Sequence, residues 1–294
     1  MNSGYLKYAG AALLAVICCA IPESAPADMR EKPQNLSVSL GAEFATGNYG
    51  TDATTRSLYL PLIATWSPDE RFDIGIEVPF IYQSRSNVTT GIYHASLSAT
   101  AEKTAPRTGA GGSGGSGLQP QAQQHSASGP SKSDVSGLGD IILRLGVIAL
   151  FEAANTPQLR PSLSIKFPTA SFSDGLGTGE FDLGVGVEAS KWFGAARLTG
   201  EGIYNYQGKA DGLGLNNFLS FSAGAGYQLG KSLHPMLVLK GATAPSAYSG
   251  DLLELRARLI CSLSAASSLD LYLSHGLAGS SPDHGGGIAA VFGF

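Results

Sequence analysis

From Leu36 onward the chain alternates. Leu36, Val38, Leu40, Ala42 and Phe44 share one parity and Ser37, Ser39, Gly41 and Glu43 the other, the period of two expected of a strand with one apolar face. The same alternation predicts strands over residues 58–66, 72–82, 141–151, 159–167, 181–190, 197–206, 219–229, 234–243, 253–261 and 269–277. Counting from Leu36, the ninth strand, 234–243, is the least regular. The last ten residues make another strand: Ile288, Ala290, Phe292 and Phe294 on one face, Gly287, Ala289, Val291 and Gly293 on the other. A strand needs hydrogen-bond partners on both edges, and within a membrane only a closed barrel supplies them. The pattern therefore predicts an all-β chain, a transmembrane antiparallel up-and-down β-barrel of about 12 strands, an even number as in single-chain bacterial barrels.

The connections agree. Short ones fall at 67–71, 152–158, 193–194, 230–232 and 264–268, and longer ones rich in Gly, Asp and Ser alternate with them at 47–56, 82–139, 169–180, 207–216, 245–251 and 279–285. Outer-membrane barrels have that asymmetry, short periplasmic turns and long outer loops. Aromatic residues gather at both strand ends, Trp66, Phe72, Phe151, Phe193 and Tyr227 at one and Phe44, Tyr82, Phe167, Phe181, Tyr204 and Tyr206 at the other, as two interfacial belts require. A soluble sandwich or lipocalin-like barrel also alternates, but turns its apolar face inward. Strand length, even count, loop asymmetry and the belts favour the membrane barrel.

Composition adds export and little chemistry. Lys7 precedes the apolar run 8–21, and Ala25-Pro26-Ala27 offers a cleavage site, so residues 1–27 read as a secretory signal peptide and 28–294 as the barrel. Cys18 and Cys19 lie inside that signal without a convincing lipobox, which leaves Cys261 as the lone mature cysteine and excludes an internal disulfide. No later stretch is long and apolar enough for a transmembrane helix. Net charge is −4 with 14% charged residues, and no basic patch points to nucleic acid. The 39 glycines are about twice the usual ~7% share and suit a tightly filled lumen. The expected location is the bacterial outer membrane, with membrane lipid, small-molecule solutes and the assembly machinery that reads the terminal Phe294 as partners.

Three stretches, Asp73-Ile-Gly-Ile-Glu-Val-Pro-Phe80, Gly137-Leu-Gly-Asp-Ile-Ile-Leu-Arg144 and Lys166-Phe-Pro-Thr169, occur in that order. They resemble the outer-membrane β-barrel family named after the MetA-pathway of phenol degradation. The resemblance runs from about Leu36 to Phe294 and implies a transport role beside aromatic catabolism. The Gly/Ser/Gln-rich insert before Gly137 departs from the family pattern.

The polar parity places charges of both signs on the lumen: Glu43, Asp73, Glu77, Asp140, Asp182, Glu188, Glu201, Glu254 and Asp270 against Arg144, Arg160, Lys166, Arg197, Lys240, Arg256 and Arg258. On a lipid face each basic residue would cost about 2–4 kcal/mol at the midplane. In a lumen opposed charges either set a transverse field that selects solutes or stiffen the wall as ion pairs. Glu254, Arg256 and Arg258 form the densest local cluster and the leading selectivity candidates. The loop 83–138 reads either as a gate folded into the lumen or as a cap on the rim, with low-complexity sequence over 105–132 and a less polar part over 87–101 that belongs to the loop, since as a spanning strand it would make the count odd. Only residues 28–35 precede the first strand, too few for the plug of an energised transporter, so passive transport is expected.

Enzymatic readings are weak, and no cofactor is implied. His275 has lipid-facing parity. A hairpin centred near Ala266 would pair it with the neighbourhood of Ala257, away from Cys261 and without a catalytic serine; an interfacial histidine or a local bulge explains it better. His94, His125, His234 and His284 lack metal-ligand spacing. Gly175-Leu-Gly-Thr-Gly179 precedes a strand, not a helix, and reads as an outer-loop turn; Gly230-Lys231-Ser232 lacks the upstream glycine of a P-loop. The resulting expectation is a channel for passive diffusion of small solutes, aromatic or apolar compounds among them. The alternative is a non-conducting structural or interaction barrel.

Overall fold

The computed structural model describes residues 35–49, 54–84, 134–210 and 213–294, with four short strand segments within 88–125. The barrel strands are β1 (Leu36–Gly47), β2 (Thr55–Trp66), β3 (Phe72–Gln83), β4 in two pieces (Val135–Leu138 and Ile141–Val147), β5 (Gln158–Phe167) and β6 (Asp182–Phe193). The second half comprises β7 (Ala196–Tyr206), β8 (Phe218–Tyr227), β9 (Leu233–Ala242), β10 (Leu252–Ser262), β11 (Ser267–Gly276) and β12 (His284–Gly293). Each pairs antiparallel with the next, and β12 returns to β1 from Ser37↔Gly293 to Thr46↔His284. Twelve strands thus close on themselves, and closure satisfies every edge, as a spanning sheet must. The Phe294 amide donates to the Leu36 carbonyl at 2.7 Å at the seam.

The partition of residues is the reverse of a soluble protein's. Leu40 is 61% exposed, Leu273 59% and Phe193 60%, whereas Glu43, Glu77, Glu254 and Lys166 are each 1% exposed. Charged side chains are rarely so buried unless paired, and an apolar outer surface of this extent marks contact with lipid. The period-two pattern is therefore read with its apolar face outward. The irregular ninth strand obeys it: His234, Met236, Val238 and Lys240 are buried inside, and Leu237 and Leu239 face out. Tight turns close one end, including a two-residue turn after β6 that needs the positive φ of Gly194. Long connections lie at the other end, termed the outer end. Exposed aromatics mark both rims, Trp66, Phe193 and Tyr227 at the inner, and Phe44, Phe181, Tyr204 and Tyr206 at the outer.

β4 differs from the sequence expectation at both ends. It begins at Val135, in what reads as loop, and ends at Val147, so Ala149 and Phe151 lie beyond it. Its register against β3 slips by one, from Phe80↔Leu138 to Glu77↔Ile142. Gly139 and Asp140 together face Pro79, a β-bulge. Pro79 has no N–H to give the ladder, and bulges are where strands tolerate proline; its carbonyl still accepts the Gly139 amide at 2.9 Å. The extra residue turns Asp140 into the lumen. The hairpin β10–β11 pairs His275 with Leu255 and Leu273 with Ala257, a register two residues from the one centred on Ala266.

Residues 1–27 and most of the 83–138 loop lie outside the described residues. Within that loop Val88–Thr89 pairs with Gln124–His125, and Tyr93–Ala95 with Leu118–Pro120, nested ladders separate from the barrel sheet. Among the described residues no helix is long and apolar enough to cross a membrane.

Candidate functional site

Charges on the inner face find partners across strands, with glycine making the room. Arg160 on β5 reaches over β4 to Asp73 on β3, with Nε–Oδ1 at 3.0 Å and Nη2–Oδ2 at 2.5 Å. The β4 residue beneath it is Gly146, where a Cβ would strike the guanidinium. Tyr272 on β11 likewise crosses Gly287 on β12 to donate to Glu43 on β1 at 2.6 Å. Glu77 accepts from both Tyr59 and Arg144. Arg256 pairs with Glu254 two residues away on the same face and lies 4.3 Å from the Tyr272 ring centroid. Arg258 grips Asp270, its diagonal neighbour across the β10–β11 hairpin. These bidentate and charge-assisted contacts are the strong class of hydrogen bond. Together they line the wall with fixed, alternating charge.

The outer end is capped from within. The loop between β5 and β6 dips into the barrel, so that buried Leu176 packs against Tyr59 and Ile81, with Val135 and Ala170 at the edge. Lys166 latches it: the ammonium lies 3.1 Å from Asp140, 2.8 Å from Asp182 and 2.9 Å from the Thr178 hydroxyl. Asp140 also accepts the Ala170 amide, and Asp182 the Gly208 amide, each at 3.0 Å, so the latch ties two outer loops to the wall. The stretch 175–179 is thus an outer-loop turn, as expected, and one that inserts Leu176 and Thr178 into the barrel. Tyr49, just beyond β1, is buried with a left-handed φ of 50°, a strained conformation for a bulky residue. Burial, with the Glu254 and Asp283 carboxylates nearby and the Ser57 hydroxyl opposing, pushes its phenol above the ordinary tyrosine range.

Every charge placed on the lumen by parity lies on the inner face, but the groupings differ from those suggested by sequence proximity. Glu254 and Arg256 stay together while Arg258 belongs to Asp270. Asp73, Arg160 and Glu188 form one chain, with Arg160 Nη1 3.8 Å from Glu188. Glu201 stands directly opposite Glu188 in the ladder. Arg197 lies at the inner mouth, 5.4 Å from the Trp192 ring, which lies 5.3 Å from His234. Tyr59, Tyr272, Leu176, Thr178 and Trp192 carry parts of the site that sequence reasoning passed over. Trp192 shares the parity of Glu188 and Ser190 and was findable. Nothing in a Gly-rich loop distinguishes Leu176. Among the described residues no group of three or more His, Cys, Asp or Glu could hold a metal ion.

The chain is similar to several solved structures. An outer membrane channel from Pseudomonas putida F1 superimposes with a TM-score of 0.61 at 15% identity, covering 92% of this chain and 100% of the other. The translocator domain of the autotransporter NalP from Neisseria meningitidis has a TM-score of 0.48 at 11% identity, covering 99% and 96%. The toluene transporter TodX of P. putida has 0.44 at 10% identity, covering 90% and 91%. No curated protein matches the chain. The sequence itself matches a family over residues 95–294, and the chain belongs to that family, described as "Putative MetA-pathway of phenol degradation".

Proposed function

We propose that the protein is an outer-membrane channel through which small solutes, aromatic and apolar compounds among them, diffuse passively. The observation that carries this reading is a closed barrel with lipid-facing Leu and Phe outside and a lattice of Asp, Glu, Lys and Arg inside. Charges held inside a barrel must be paired or solvated, and these are paired along the wall. The wall residues Asp73, Glu77, Arg144, Arg160, Lys166, Glu188, Arg197, Glu201, Glu254, Arg256 and Arg258 set the field a solute meets. Tyr59, Ile81 and Leu176 add an apolar collar at the outer mouth, which suits an aromatic or apolar solute. The P. putida outer membrane channel shares the fold. Export through residues 1–27, a barrel domain over 28–294 and recognition of Phe294 by the assembly machinery complete the proposal, with no enzymatic step in it.

The inward loop favours a second reading, a barrel closed by its own side chains and used as a scaffold. Single-channel recording of the refolded protein in a planar bilayer separates the two. The channel reading expects discrete current steps that added phenols or aromatic acids reduce. A folded barrel that gives no steps at any voltage leaves the scaffold.

A further inference from the structure

His275 lies at the outer end of β11 and His284 opens β12, and the ladder sets them directly opposite each other. Both are exposed on the outward face, at the outer rim beside Leu255 of β10 and Thr46 of β1. Their rings stack at 5.1 Å between centroids with planes 29° apart, but the nitrogen edges converge, with the two Nδ1 atoms 3.3 Å apart. The backbone carbonyl oxygen of Asp283, which accepts the Gly276 amide at 3.2 Å, is within hydrogen-bond distance, 2.9 Å, of the same Nδ1 of His275. The 3.3 Å nitrogen separation lies at the long end of the hydrogen-bond range. It also fits two donors sharing one ion. Ligands held at about 2.0–2.1 Å stand roughly 3.0 Å apart along an octahedral edge and roughly 3.4 Å apart in a tetrahedron.

We propose that His275 and His284, with the Asp283 carbonyl, bind one borderline divalent transition-metal ion of the Zn²⁺, Ni²⁺ or Cu²⁺ class. Imidazole nitrogen selects these ions over Mg²⁺ and Ca²⁺, which prefer all-oxygen sites. Two imidazoles and a carbonyl leave positions for water. Parity alone hides the site, because the two ligands are nine residues apart and meet only through the β11–β12 register. The ion would clip the penultimate strand to the closing one at the rim, independently of what passes through the lumen.

Calorimetric titration of Zn²⁺ into the untagged barrel, refolded in detergent, tests this. The expected isotherm saturates at one equivalent and is unaffected by Mg²⁺. His275→Gln or His284→Gln lowers the affinity more than about tenfold, while Asp283→Ala, which keeps the carbonyl, holds it within about threefold. Cu²⁺ loaded instead shows nitrogen hyperfine coupling from two imidazoles by paramagnetic resonance, absent in the double variant. Both histidines are exposed, so the variants refold, and heat-modifiable gel migration verifies it. Absence of saturable Zn²⁺ binding to the native chain, or undiminished binding by the double variant, overturns the proposal and leaves a hydrogen-bonded pair.

Discussion

Lys166 shows what one side chain does in this lumen. Its ammonium is enclosed by Asp140, Asp182 and Thr178, each supplied by a different segment: the bulge of β4, the start of β6 and the inserted loop. Lys166→Met leaves two buried carboxylates without their cation. Breaking a buried pair from one side costs about 3–5 kcal/mol, because the remaining charge is uncompensated. The expected result is a urea unfolding midpoint shifted down accordingly, with most of the loss recovered in the triple variant that adds Asp140→Asn and Asp182→Asn. A single variant as stable as the native chain would mean that water, not Lys166, compensates these carboxylates. The partners of Lys166 were not legible from spacing. Lys166 and Asp182 are opposed only by the β5–β6 register, and Asp140 reaches them only because of the bulge.

The elements divide into those that sequence patterning reveals and those that depend on neighbours. Period two locates all twelve strands and, apart from the 135–138 piece of β4, their faces, because lipid on one side and charge on the other restrict register: a one-residue slip would exchange the faces. The bulge in β4 escapes such reading. Its cause, Pro79, sits in the adjacent strand, and the residues that bulge look like loop. The β5–β6 insertion escapes it too, since Gly, Ser and Thr suit a loop outside the barrel or within it. Once inserted, its apolar anchor is the contact of Leu176 with Tyr59 and Ile81. Leu176→Asp places a charge in that collar, against a desolvation cost that only withdrawal of the loop relieves. Bilayer recordings should then show a larger unitary conductance than the native chain. Equal conductance would mean that the loop does not define the narrowest point.

At the scale of the whole barrel, the side-chain pairs cancel much of the lumen charge locally, as with Arg258 and Asp270 or Arg160 and Asp73. Arg160 lies over Gly146 to reach Asp73, as Tyr272 lies over Gly287 to reach Glu43, so the field is pinned to the wall there rather than carried by mobile groups. Cancellation is incomplete. Among the described residues, carboxylates outnumber cations on the inner face. A pore with this wall should prefer cations weakly. The preference should depend on salt, because the screening length falls from about 10 Å at 0.1 M to about 3 Å at 1 M, shorter than the distance across a barrel of this kind. Reversal potentials under a KCl gradient provide the measurement. The expected sign is that of a cation-preferring pore at low salt, shrinking toward zero as both baths approach molar concentration. Asp270→Asn, which frees Arg258, should shift the potential toward anions. An anion preference in the native chain would place the conduction path away from these carboxylates and so away from the wall described.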